Sequence, residues 1–212
     1  MCNPAPIDES LRAVLEPHVA HIKALVLQRD FVSARDVLLR ALQLAQRNAG
    51  SSVHLELLKL AGLFCEMLGY RVEAGIFYCV GMRLTQERDP ALASLFSRRL
   101  AHLAHPEKQR PLRPAKADDV QLQALGQFLH LRFDCLWEIA ARRNLGPDKL
   151  LLLVQALGSL DTGSDVGQWI AEDLGYLATG ISEDAFHEVL RAAPTYQWRH
   201  ALIHARPQQP PT

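Results

Sequence analysis

Apolar residues recur at three- and four-residue intervals along most of the chain, the period of a helix buried on one side. Over residues 8–28, Leu11, Val14, Leu15, Ile22, Leu25 and Val26 form one broad stripe, with Asp8 or Ser10 placed to cap its start. Arg29-Asp30 breaks the pattern, and a second helix over about 31–47 carries Ala34, Val37, Leu38, Ala41, Leu42 and Ala45. "NAGSS" (48–52) stops that helix and caps the next. Helices follow over about 53–68, about 71–87 and, after the Asp89-Pro90 start signal, about 91–104. Alternating runs bounded by Asn-Gly or Asp-Gly, the signature of strands, are missing.

Residues 106–118, "PEKQRPLRPAKAD", hold three prolines and four basic residues and read as a semi-rigid linker. Beyond them the period predicts one long helix over 119–143, then helices over about 147–159, 165–178, 183–193 and 195–205. The expected organisation is therefore all-α with about ten helices. A module of paired helices spans 1–105, the linker 106–118, a helical bundle 119–206 and a disordered tail 207–212.

Composition narrows the class. At 212 residues, 49% apolar and 22% charged, the chain is that of an ordinary globular protein. No apolar run approaches the roughly 20 residues that span a bilayer. The start, "MCNPAPIDES", lacks a secretory pattern, so a cytoplasmic location is expected. Four cysteines (Cys2, Cys65, Cys79, Cys135) form no CxxC pair and read as buried small hydrophobes. Net charge is zero but uneven. Residues 1–105 carry 12 basic against 10 acidic side chains, and residues 119–212 carry 7 against 11. No concentrated basic face is visible, which disfavours nucleic acid as a partner.

The stretch "LLKLAGLFCEMLGYRVEAGIFYCVGMRL" (57–84) places Gly62 and Gly69 inside helical periodicity. Its pattern is similar to the tetratricopeptide repeat, W-x2-L-G-x2-Y followed by A-x3-F. Leu58, Ala61, Gly62 and Cys65 stand at the first four positions, Ala74-x3-Tyr78 matches the second part, and Gly81 follows as a small residue. Residues 53–86 therefore resemble one such repeat, and Ala34-x3-Leu38-x2-Ala41 gives an upstream echo. The conserved-type Trp, Tyr and Pro are replaced, with Gln86 at the proline position. Close approach of paired helices would use Gly62 and Ala74, and Gly69 would supply a left-handed turn. The resemblance implies binding of a partner peptide or helix in a groove rather than catalysis, as in adaptors, secretion-type chaperones and regulators. Leu58, Cys65, Arg71 and Tyr78 are the candidate groove or inter-helix positions.

Chemistry offers fewer leads. His18/His21, His102/His105 and His200/His204 are spaced to share a helix face and could chelate a metal, His200 and His204 being the pair to watch. HExxH, GxSxG and phosphate-loop motifs are absent, so no cofactor and no catalytic residue are implied. "DTGS" (161–164) sits between helix patterns and reads as a cap rather than a protease loop. Residues 136–160 have a helix–turn–helix cadence, and Lys149 and Gln155 are its only obvious base-reading candidates. The expectation is a non-catalytic protein that binds another protein. A helical transcriptional regulator and a metal-dependent helical enzyme using the histidine pairs are the alternatives.

Overall fold

The computed structural model describes residues 8–105 and 119–206; the linker, the tail and Cys2 lie outside them. Eleven α-helices and no strand occur among the described residues. They are α1 (Glu9–Leu27), α2 (Phe31–Ala45), α3 (Ser52–Leu68), α4 (Arg71–Thr85) and α5 (Pro90–Ala104) in the first half. In the second half follow α6 (Asp119–Asp134), α7 (Leu136–Arg142), α8 (Pro147–Gln155), α9 (Asp165–Leu177), α10 (Glu183–Arg191) and α11 (Tyr196–Ala205).

Most helix starts follow from local chemistry. The side chains of Asp8, Asp30, Ser51, Asp89, Ser164, Ser182 and Thr195 each accept from a backbone N–H of the first turn, satisfying donors that a helix leaves open. Ser164, in the "DTGS" string, is thus the cap of α9, accepting from Gly167 N at 3.0 Å. Gly69 ends α3 at φ +85°, a conformation that costs other residues.

The single long helix expected over 119–143 is broken at Cys135 into α6 and α7. The two pieces serve different neighbours: α6 packs on α1 and α8, whereas α7 packs on α3. Turning the axis at Cys135 lets Leu136, Ile139 and Ala140 be buried there.

In the first half each helix packs on the next, α1 on α2 through to α4 on α5. Gly62 makes the α3–α4 approach possible. A Cβ on it would stand 2.1 Å from Cε1 of Tyr78, a fully buried ring on α4. The second half covers one set of these helices: α6 lies on α1, α7 and α9 on α3, and α9 also on α5. Helix α3 is consequently buried all round, with only its ends reaching solvent. Phe64 of α3 meets Phe133 of α6 edge-on at 6.4 Å, and the buried apolar side chains of both halves form one cluster.

Candidate docking face

The contacts divide the first five helices into two kinds. The odd-numbered ones present a shared side, and the helices of the second half occupy it. The even-numbered ones, α2 and α4, find their principal contacts in their sequence neighbours.

Charged groups hold the occupied side closed. Lys59 and Glu56 of α3, Arg132 of α6 and Asp173 of α9 are buried together. The Arg132 guanidinium donates to Asp173 Oδ2 at 2.7 Å and to Glu56 Oε2 at 2.5 Å. The Lys59 ammonium lies 2.6 Å from Asp173 and 3.0 Å from Glu56. Two cations face two anions, so the charges of the cluster balance. Burial pushes the Asp173 carboxyl up, but Arg132 and then Lys59 pull it further down, below its usual 3.8. Burial disfavours the Arg132 charge too, and its two carboxylates more than reverse that.

A second cluster joins α3, α4, α5 and α9. Tyr78 Oη donates to Glu66 Oε1 at 2.5 Å, Arg99 pairs with the same carboxylate, and Glu172 lies 3.8 Å from Arg99. Burial drives the Tyr78 phenol well above its ordinary value, with Glu66 adding to the shift. Burial also raises Glu172 above its usual 4.5, against the pull of Arg99. Further contacts close the same seam. His102 meets Asp165 at 2.7 Å, and Asp89 accepts from Tyr176 at 2.9 Å and from Arg143 at 3.2 Å.

These placements decide what the sequence candidates can touch. Leu58, Cys65 and Tyr78 are buried. Burial raises the Cys65 thiol despite Arg35, leaving it a poor nucleophile. Arg71 is exposed at the start of α4 and donates to the Leu103 carbonyl at 2.6 Å, fastening α4 to the end of α5. Trp169 and Trp198 are core side chains, and the Trp198 indole N–H donates to Leu160 O at 2.9 Å. In the 136–160 stretch, α8 buries Leu150, Leu153 and Val154. Its outward Lys149 lies 3.9 Å from Glu138.

The outer face of α4 lies apart from the buried sequence candidates. Val72, Ile76 and Val80 are 76%, 56% and 39% exposed and stand in one file, four residues apart. Ala74, Tyr78, Gly81 and Thr85 form the buried side of the same helix. Tyr70, also partly exposed, caps one end of the file, with the Arg35 guanidinium 4.3 Å over its ring. The signal was present in the sequence: a helix with apolar residues on both faces has one more face than a single core contact consumes.

An open cleft of about 490 Å³ lies at the junction of α1, α3 and α7, lined among others by Asp8, Ser52, Arg88 and Arg143. Its charges are of both signs. No helix is long and apolar enough to cross a membrane, and no group of three His, Cys, Asp or Glu is arranged for a metal among the described residues. Compared with known proteins, the chain matches no family model, no curated sequence and no solved structure.

Proposed function

We propose that the chain is a non-catalytic adaptor, acting in the cytoplasm, that holds an amphipathic helix of another protein on the outer face of α4. In this reading α3 and α4 are the first and second helices of a tetratricopeptide-like pair. The groove side of such a module is filled in cis by the second half of the same chain. A partner then uses the side left open rather than Leu58, Cys65 or Tyr78.

The observation that carries the reading is the exposed file Val72, Ile76, Val80 on the side of α4 opposite its buried residues. Spacing of four matches the anchors by which an amphipathic helix is recognised. The exposed portions amount to under two whole aliphatic side chains, worth roughly 3–5 kcal/mol when covered. Alone that gives binding of about the millimolar class, so a specific partner needs polar contacts as well. Arg71 and Arg83 on α4, with Arg35 beside Tyr70, border the file together with Asp36, Glu73 and Glu87. They suit side chains of both signs flanking the partner's apolar stripe.

The test is photo-crosslinking in the native cells from position 76, with position 152, an exposed leucine of α8, as control. A discrete adduct with one other protein at 76 and none at 152 is expected. An adduct of twice the chain's mass, meaning self-association, or equal labelling at both positions overturns the proposal.

A further inference from the structure

We propose that His200 and His204 form a two-imidazole chelate for one late first-row divalent cation on the outer face of α11. The helix is fixed in rotation by its inner side. Trp198, Leu202 and Ala205 are buried, and the Trp198 N–H bond to Leu160 O pins the indole. That orientation turns Tyr196, His200, Ile203 and His204 outward.

One turn apart, the two imidazoles converge. Their Nε2 atoms are 3.0 Å from each other and their ring centroids 4.2 Å, and the Tyr196 ring lies 6.2 Å from that of His200. With metal–nitrogen bonds of about 2.0–2.1 Å, a 3.0 Å separation subtends an angle of about 91–97° at the metal. That is the cis angle of square-planar or octahedral coordination, the preference of Ni(II) and Cu(II). Tetrahedral zinc needs the nitrogens about 3.3–3.4 Å apart, so zinc is accepted only after the rings spread. Both cations also stand above the earlier metals in intrinsic affinity for imidazole.

Among the described residues no carboxylate, thiolate or further imidazole completes a three-ligand group here. The remaining positions therefore belong to water, which makes the site open and exchangeable. In the free chain one Nε2–H donates to the other ring's Nε2; on binding that proton moves to Nδ1 of its own ring, both Nε2 lone pairs go to the metal, and no oxidation state changes.

The test is calorimetric titration of the full chain with Ni(II) in a buffer that does not coordinate metals, which also spares the thiols from oxidation by Cu(II). One saturable equivalent is expected, accompanied by a higher thermal midpoint. Even outer-shell changes cost metal sites about 10–100-fold, so loss of a ligand sets a floor of about tenfold weakening in H200Q and in H204Q. Both positions are exposed, and unchanged far-UV circular dichroism checks the fold of each variant. The variant H18Q, which alters another histidine pair, keeps the binding. Absence of a saturable equivalent, or full retention of binding in H204Q, overturns the proposal.

Discussion

Replacing Arg132 with methionine removes the cation that ties three helices together. Its side chain is fully buried, and it donates to Asp173 Oδ2 at 2.7 Å, to Glu56 Oε2 at 2.5 Å and to Asp173 Oδ1 at 3.3 Å. Methionine fills much of the same volume, so the main loss is electrostatic. The cluster passes from two cations and two anions to one cation and two anions, all of them buried. Breaking a buried pair in this way costs about 3–5 kcal/mol, a large part of the 5–15 kcal/mol that holds a domain folded.

The pH dependence separates this cause from poor packing. In the wild type Asp173 lies below 3.8, so its contribution is present above that pH and lost as pH falls through the folded value. In R132M the cause that most lowers Asp173 is gone and burial pushes the carboxyl up. With only Lys59 left to oppose burial, the carboxyl moves up from its wild-type value, and the stability that its lowering supplies above pH 3.8 in the wild type is reduced in R132M. The gap between the two proteins should be smallest in acid, below the wild-type folded value of Asp173, and at its full size by pH 7. Urea unfolding at four or five pH values measures it. A gap of under about 1 kcal/mol at pH 7, or one independent of pH, would refute the reasoning.

Further expectations rest on other elements. Gly62→Ala drives a Cβ into the pinned Tyr78 ring and should cost about 1–3 kcal/mol in denaturant unfolding. Gly69→Ala, at φ +85° with open space around it, should cost only the backbone term of about 1–2 kcal/mol. Burial holds His54 below its usual 6.5, and its Nδ1 accepts from Gly50 N at 3.2 Å. Its contribution is therefore present above pH 6.5 and fades in acid, so the stability advantage over H54Q should shrink between pH 7.5 and 5.5. Glu172 is raised above 4.5, which makes its ionisation a cost at neutral pH. E172Q should gain stability relative to wild type as pH rises from 4 to 7, measured by thermal unfolding. Ile76→Asp, at a 56% exposed position, should leave the unfolding midpoint within experimental error.

The helices were legible because their signals are local. Apolar period, cap residues such as Asp30, Ser51 and Asp89, and the Gly69 turn all act within a few positions. The break at Cys135 was not, because nothing in "RFDCLWE" opposes a helix; two packing partners in different directions impose the turn. Glu56, Lys59, Arg132 and Asp173 were equally hidden. Arg132 is separated by 76 residues from Glu56 and by 41 from Asp173, and each alone resembles an ordinary solvated charge. A clue did exist in α3, whose charges Glu56, Lys59 and Glu66 fall on a helix with no polar side to place them on. The glycine at 62 showed where α3 and α4 approach, and the buried Tyr78 ring lies over it. Which side of the module stays open depends on where the second half docks, and that is a long-range outcome.

The docking claim is tested most directly by hydrogen exchange of the chain, alone and saturated with the protein crosslinked at position 76. Slowed exchange confined to residues 70–88, with α3 and α6–α9 unchanged, is the result expected of a partner seated on α4. Faster exchange in α6, α7 and α9 on binding would contradict it, because the partner would then be displacing the second half from the odd-numbered helices.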